Sequence, residues 1–196
     1  MNSKKALIVF IKNPELGNVK TRIAATLGNE KALEIYNKLL LHTNDITKNL
    51  LVDKFVFYSD SIMLVDIWQN NVFIKLVQNG NSLGERMDAA FAQVFEKNYA
   101  SVCIIGSDCI ELDSNTIENA FRLLQINDCV IGPTFDGGYY LLGMNNLNME
   151  LFQIEFSTET VFDETLKVCN SLNLSTAFTK KLHDVDTQNE VPKSWL

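Results

Sequence analysis

Two kinds of apolar pattern alternate along this chain. Short, nearly continuous apolar runs occupy residues 6–11, 54–58, 72–77, 102–105 and 129–132, and residues 139–143 are a further candidate of the same kind. Such runs are typical of strands that are buried on both faces of a parallel sheet. The segments between them carry apolar residues at the spacing of amphipathic helices. The alternation therefore predicts crossover units that build a mostly parallel sheet.

Apolar stripes and capping residues predict the helices. The stripes comprise residues 32, 35, 36, 39 and 40, then 87, 90, 91, 94 and 95, then 117, 120, 121 and 124, and finally 161, 165, 168 and 172. Asp113 or Ser114 is predicted as the N-cap of the third helix, and Ser157 as that of the fourth. Helices on both sheet faces give an α/β fold, which we expect to be a single three-layer α/β/α domain over residues 1–196.

Composition and charge narrow the class of protein. With 196 residues, 46% of them hydrophobic and 21% charged, the chain has the make-up of one globular domain with its own core. A net charge of −7 argues against a nucleic acid polymer as partner. The four cysteines form no C-x-x-C pair, which fits reduced thiols and a cytoplasmic location. No apolar run approaches the roughly 20 residues of a transmembrane segment.

The loop after the first predicted strand concentrates cations. In open α/β sheets, ligands bind beyond the carboxyl ends of the strands. The sequence there, residues 12–22, reads KNPELGNVKTR, and neither a Walker A loop nor G-x-G-x-x-G is present. We predict a diphosphate site, because cations and free N–H groups would converge; the alternative is a solvated basic loop. The candidate nucleotide-binding residues are Lys12, Gly17, Lys20, Thr21 and Arg22.

The loop after the third predicted strand offers two glycines and an arginine. Gly80 and Gly84 are predicted to allow close backbone approach to a nucleotide, and Arg86 to contact it. Ser82 and Glu85 match the S-x-x-E capping box. We therefore interpret Glu85 as a capping residue and not as a catalytic one.

Aspartates follow the later strands. Asp108 ends the fourth predicted strand in GSDC, where a divalent cation could bind, although a turn aspartate is the alternative. Asp136 lies in PTFDGGYY, which could also be a simple hairpin turn. Asp184 and Asp186 are two residues apart, so in an extended segment their carboxylates face the same side. A second metal ligand could come from this pair, or the pair could be a surface acidic run.

Taken together, these motifs resemble a known family. FIKNPELGNVKTRIAATLG, SLGERMDAAF, IIGSDC, VIGPTFDGGYYLLG and DVDT are similar to motifs of the glycosyltransferase-like family DUF2064, in the same order and over nearly the whole chain. That family is related to nucleotide-diphospho-sugar transferases of GT-A fold and, more distantly, to guanylyltransferases. The chain departs from the family pattern at Ile110, where proline is usual, and at Ser82, where many members carry aspartate.

The resemblance implies roles for particular residues. It places the nucleotide on the first loop, at Lys12, Gly17, Lys20 and Arg22, and a divalent metal, Mg²⁺ or Mn²⁺, on Asp108 with Asp186 completing the coordination. Asp136 would lie toward the acceptor.

Three functions remain open on these grounds. The first is metal-dependent transfer of a sugar from a nucleotide-diphosphate sugar to an unknown small acceptor, with Asp136 as the base and Lys20 stabilising the leaving group. The second is a nucleotidyltransferase that consumes a nucleoside triphosphate and releases pyrophosphate. The third is a nucleotide-binding module without catalysis, for which Ile110 is the only hint.

Overall fold

A seven-stranded sheet forms the centre of the computed structural model, which describes residues 4–196. The strands are β1 (Lys5–Ile11), β2 (Asp53–Tyr58), β3 (Phe73–Val77), β4 (Ser101–Ile105), β5 (Cys129–Pro133), β6 (Tyr139–Met144) and β7 (Thr176–Phe178). They lie in the order β3-β2-β1-β4-β6-β5-β7. Strand β6 runs antiparallel to β4 and β5, and the other neighbouring strands pair in parallel. The prediction of a mixed, mostly parallel sheet is confirmed.

Five α-helices flank the sheet. They are α1 (Thr21–Leu27), α2 (Asn29–Thr47), α3 (Leu83–Phe95), α4 (Ser114–Leu123) and α5 (Val161–Ser171). Alternate residues of β1 point to opposite faces: Leu7 packs in the core shared with α2 and α4, while Ile8 packs in the core shared with α3 and α5. This is the predicted three-layer α/β/α arrangement. No helix among residues 4–196 has the length and apolar character needed to cross a membrane.

The helix caps agree with the sequence only in part. Asp113 caps α4, because its carboxylate accepts a hydrogen bond from the Thr116 N–H at 2.7 Å. Ser82 caps α3, but the Glu85 carboxylate accepts from the Asn81 N–H and not from that of Ser82. The prediction for Ser157 is wrong.

Ser157 lies in an irregular segment before α5. Its φ of 68° is left-handed, and α5 begins only at Val161 with Thr160 as its N-cap. The apolar stripe of α5 starts at Val161 as predicted, so the error concerns the cap and not the helix. The segment 153–160 is therefore not helical and lies at the edge of the sheet.

The parallel strands bring several loops to one edge of the sheet. Strands β1 to β5 all end there, since β6 is the only strand that runs the opposite way in the described part of the chain. The segment before α1, the turn after β4 and the turn between β5 and β6 consequently meet. The backbone N–H of Val185 donates to the Asp108 carbonyl at 2.8 Å, which fastens the segment 184–186 to the end of β4.

Candidate active site

An open cleft of about 1230 Å³ lies at this edge of the sheet. Ligand pockets for small molecules commonly span roughly 300–1,000 Å³, so the cleft has room for a large ligand or for two. It is lined by most of the residues predicted from the sequence, namely Lys12, Lys20, Thr21, Arg22, Arg86, Asp108, Asp136 and Asp186.

Lys20 forms the electrostatic centre of the cleft. Its Nζ lies 2.8 Å from Asp108 Oδ1 and 3.2 Å from Asp186 Oδ1, and its side chain is only 6% exposed. Burial alone would lower the pKa of Lys20, but the charges and hydrogen bonds of the two carboxylates outweigh it and raise that pKa. Lys20 is therefore a charged, buried ammonium.

The backbone of Lys20 aims this side chain. Lys20 is the N-cap of α1 with φ 47° and ψ 47°, a left-handed conformation that costs on the order of 1 kcal/mol for a residue with a Cβ. No side-chain hydrogen bond caps the helix at this position. The ion pairs with Asp108 and Asp186 can offset this strain. The left-handed turn and the ion pairs therefore stabilise each other.

The other predicted cations on the cleft wall are solvated. Arg22 is 76% exposed, and its Nη1 lies 3.6 Å from Asp186 Oδ2, a contact that contributes little to stability. Lys12 and Thr21 are also exposed on the wall. Arg86 is more constrained, because its Nε donates to the Gly80 carbonyl at 2.9 Å. These side chains remain available to a bound anion.

Asp184 adds a half-buried carboxylate with one buried oxygen. Its Oδ1 is shielded from solvent and has no hydrogen-bond partner within residues 4–196. Burial, followed by repulsion from Asp108, Asp186 and Asp136, raises the pKa of Asp184 to about 7, against the attraction of Lys20. From the sequence this residue was only one half of an acidic pair, without a role of its own.

Two of the three predicted glycines, Gly80 and Gly84, are tightly packed against protein atoms. A Cβ on Gly84 would lie 2.4 Å from the Phe152 carbonyl oxygen, and one on Gly80 would lie 2.8 Å from Glu85 Cβ. Gly17 has a φ of +82°. None of the three lines the cleft. Gly80 and Gly84 are therefore in close contact with neighbouring protein atoms, and their contact with a nucleotide stays a prediction.

Asp136 is a turn residue that also faces the cleft. Its Oδ1 accepts hydrogen bonds from the Thr134 hydroxyl and from the Gly138 N–H. Gly137 has a φ of +90°, and a Cβ there would lie 1.9 Å from the Glu159 carbonyl oxygen. The turn interpretation is thus correct, and it is compatible with a place in the site. The turn also holds the segment 153–160 close to the cleft.

Several further residues line the cleft and were not predicted from the sequence. Tyr36, assigned to the core stripe of α2, accepts from the Lys12 N–H at 2.8 Å and donates to the Lys12 carbonyl at 3.0 Å. Its burial raises the pKa of the hydroxyl, which stays protonated. A buried tyrosine hydroxyl needs a hydrogen-bond partner. This requirement could have indicated that Tyr36 lies beside a polar loop. The others include Asn81, Ser59, Gln78, Tyr139, Thr158 and Glu159.

The carboxylate oxygens in the cleft are the kind of ligand that a hard divalent cation prefers. Asp108 and Asp186 offer carboxylate oxygens, and Asp184 offers a buried oxygen without a partner. In the described residues 4–196, however, no group of three or more His, Cys, Asp or Glu side chains converges well enough to hold a metal ion. The Lys20 ammonium stands between two of the three carboxylates.

Comparison with solved structures shows which fold this is. A candidate nucleotide-diphospho-sugar transferase from Desulfovibrio desulfuricans G20 is 29% identical, with a TM-score of 0.88 over 94% of this chain and 83% of the other. Rv0371c from Mycobacterium tuberculosis H37Rv, in complex with manganese, is 10% identical, with a TM-score of 0.55 over 96% of this chain and 95% of the other.

A third relative is a CMP:2-keto-3-deoxy-manno-octonic acid synthetase complexed with CTP. It is 10% identical, with a TM-score of 0.56 over 98% of this chain and 97% of the other. At identities this low the resemblance establishes the fold alone. The fold is that of the nucleotide-diphospho-sugar transferases.

Family assignment rests on the sequence itself. No curated protein matches the chain. The sequence model of DUF2064, a family described as uncharacterized proteins conserved in bacteria, matches residues 43–158. That span includes the SLGERMDAAF, IIGSDC and VIGPTFDGGYYLLG motifs, and it covers more than half of the chain. The chain belongs to the DUF2064 family.

Proposed function

We propose that this protein is a transferase that moves a sugar from a nucleotide-diphosphate donor to a small acceptor, with the help of Mg²⁺ or Mn²⁺. The observation that carries the proposal is the buried Lys20 ammonium held against Asp108 and Asp186 on the wall of the cleft. Such a site supplies both a cation for phosphate oxygens and carboxylates for a metal. The likeness to a candidate nucleotide-diphospho-sugar transferase supports the same assignment.

The cations act on the leaving group. Negative charge builds up on the diphosphate as the bond to the sugar breaks, so groups that stabilise this charge accelerate the reaction. Lys20 would bind the diphosphate from the wall of the cleft, while Arg22 and Lys12 would approach it from exposed positions. A metal on Asp108 and Asp186 would neutralise part of the same charge.

Asp136 is suited to act on the acceptor. The turn fixes its Oδ1 through Thr134 and Gly138, and its Oδ2 makes no hydrogen bond to the described residues. The carboxylate is exposed at the cleft and lies near Asp184. Its negative charge helps to raise the pKa of Asp184. A held carboxylate with one available oxygen can accept a proton from an acceptor hydroxyl. The substitution Asp136→Asn replaces this carboxylate with a neutral amide. It would lower turnover at saturating acceptor while leaving donor affinity nearly unchanged.

Nucleotidyl transfer is the second candidate. The fold neighbour solved with CTP is a synthetase that makes a CMP-sugar acid, as its name states. The same cleft, cation and carboxylates would serve attack at the α-phosphorus of a nucleoside triphosphate. The two reactions differ in what leaves: a nucleoside diphosphate from a sugar donor, or pyrophosphate from a triphosphate.

Product analysis distinguishes the candidates. The protein is incubated with Mn²⁺ and either UDP-, GDP-, ADP- and CDP-sugars with a panel of small hydroxyl compounds as acceptors, water being the default acceptor, or nucleoside triphosphates with sugar phosphates. Released nucleotide and pyrophosphate are quantified. Nucleoside diphosphate release that disappears in Asp108→Asn supports sugar transfer. Pyrophosphate release supports nucleotidyl transfer. Tight nucleotide binding with neither product would contradict both and favour a binding module. Asp45→Asn, which makes the same change in an exposed ion pair with Lys48, is the matched control.

A further inference from the structure

The Lys20 ammonium occupies the space where a metal would bind. Its Nζ already contacts one oxygen of each of the two carboxylates proposed as metal ligands, Asp108 and Asp186. A Mg²⁺ ion lies about 2.1 Å from its oxygen ligands. A metal on these oxygens would stand within a few ångströms of the ammonium. Charges of like sign at that separation, in a site partly shielded from water, repel strongly.

Nothing else in the described chain holds this ammonium. Its ion pairs and side-chain hydrogen bonds go to Asp108 and Asp186 alone. The left-handed backbone of Lys20 sets where the side chain starts, but several rotatable bonds separate the backbone from the ammonium. When the carboxylates take another partner, the ammonium can turn into the open cleft.

From these contacts we propose that Lys20 is an internal counter-ion that holds the place of the divalent metal in the ligand-free protein and leaves it when the metal binds. The proposal rests on the proposed function, because it takes Asp108 and Asp186 as metal ligands. Metal alone then binds weakly, since it must first displace the ammonium. The displaced ammonium faces the cleft, where phosphate oxygens are its natural partner, so metal and diphosphate favour each other's binding.

Manganese binding without any nucleotide tests this directly. Free Mn²⁺ is followed by electron paramagnetic resonance in the wild type and in Lys20→Met and Lys20→Gln, which remove the charge. Both variants are expected to bind Mn²⁺ at least tenfold more tightly than the wild type. Lys20→Arg keeps the charge and is expected to bind as weakly as the wild type. Lys48→Met, at an exposed pair outside the site, controls for the loss of one positive charge.

The variants are expected to fold. The Asp108 and Asp186 side chains are 44% and 38% exposed, so water can hydrate them once the ammonium is gone. Circular dichroism and thermal melting check this. Unchanged or weaker Mn²⁺ affinity in both neutral variants would overturn the inference, and so would tight binding by Lys20→Arg.

A double variant distinguishes the role of Lys20 from the existence of the metal site. Adding Asp108→Asn to Lys20→Met is expected to abolish the tight Mn²⁺ site. If Lys20→Met gains no affinity while Asp108→Asn lowers Mn²⁺ binding in the wild-type background, the metal site stands and only the role of Lys20 fails. If Mn²⁺ binding ignores Asp108 in every background, the proposed function itself loses its metal site.

Discussion

Asp184 lies half-buried at the wall of the cleft, and repulsion from Asp108, Asp186 and Asp136 adds to its burial. Its pKa in the folded protein, about 7, is above the ordinary value of 3.8. The folded state therefore holds this proton at pH values where the unfolded chain has lost it. The resulting contribution to stability is complete below pH 3.8 and declines as the pH rises to about 7.

Asp184→Asn reveals this contribution, because asparagine resembles the protonated carboxyl at every pH. In buffer with EDTA, the melting temperature of Asp184→Asn is expected to exceed that of the wild type by a margin that grows between about pH 4 and pH 7 and is constant above. Thermal denaturation monitored by circular dichroism at several pH values measures the margin. A margin that does not change with pH would contradict the account, as would a wild type that is the more stable protein at pH 8.

At the scale of single residues, chemistry was easier to predict than geometry. Lys20 and Asp108 could be selected because they follow buried strands, and Asp186 through its spacing to Asp184 and the family resemblance. Their contact could not be predicted, since Lys20 and Asp186 are 166 positions apart and meet only through the sheet. The left-handed backbone of Lys20 had no local signal either, because such a conformation is associated with glycine or asparagine.

Among the elements, the connection between β2 and β3 is held by a buried ion pair. Lys75 Nζ lies 2.7 Å from Asp66 Oδ1, with 9% and 8% of the two side chains exposed. The Tyr58 hydroxyl also donates to Asp66, and Lys75 donates to the Met63 carbonyl at 3.1 Å. These contacts satisfy both the Asp66 carboxylate and the Lys75 ammonium. The loss of either charged group leaves the charge of the other uncompensated.

Lys75→Met is expected to destabilise the protein by about 3–5 kcal/mol, because it leaves the Asp66 carboxylate buried without its cation. Lys48→Met removes an exposed pair and is expected to cost at most about 1 kcal/mol. Urea denaturation of both variants gives the comparison. Equal losses in the two variants would show that the Asp66 and Lys75 pair is not the support described.

The turn between β5 and β6 makes a second element-scale prediction. Gly137→Ala introduces a Cβ that meets the Glu159 backbone, whereas Gly28→Ala introduces one with nothing within 4 Å. Both glycines have positive φ values, +90° and +85°, so both variants carry backbone strain. Gly137→Ala is expected to cost about 1–3 kcal/mol more than Gly28→Ala.

Hydrogen exchange locates the damage. The Phe162 N–H donates to the Gly137 carbonyl at 2.9 Å, so Gly137→Ala is expected to speed exchange at Phe162 and in the segment before it. Gly28→Ala is expected to leave exchange there unchanged. Slow exchange at Phe162 in the Gly137 variant would mean that the turn does not hold this segment.

Elements with strong periodicity were predicted well, and irregular ones were not. The apolar stripes of α2 and α3 and the buried runs of β1 and β4 correspond to observed elements, because burial against the sheet enforces the pattern. Strand β7 is three residues long and half-exposed, too short to show a period. The misplaced cap at Ser157 shares this cause, since no repeat constrains segment 153–160.

At the scale of the whole molecule, the sheet brings the separate candidate loops to one cleft. Each candidate loop had an ordinary interpretation when considered alone, as a basic loop, a turn or an acidic run. The predicted parallel sheet implied that these loops share an edge, and the cleft there is lined by eight of the predicted residues. A net charge of −7 makes the cluster of Lys12, Lys20, Arg22 and Arg86 more distinctive as an anion site.

We expect this edge of the sheet to bind a nucleotide diphosphate together with a metal, and a thermal-shift screen measures such binding. Nucleotide sugars and nucleoside triphosphates are added with and without Mn²⁺ to the wild type and to Asp108→Asn. A ligand at about 100 times its dissociation constant adds roughly 2.7 kcal/mol, which should raise the melting temperature by several degrees. The account predicts a Mn²⁺-dependent rise for at least one nucleotide in the wild type and its loss in Asp108→Asn. The absence of any shift, or an equal shift in both proteins, would contradict it.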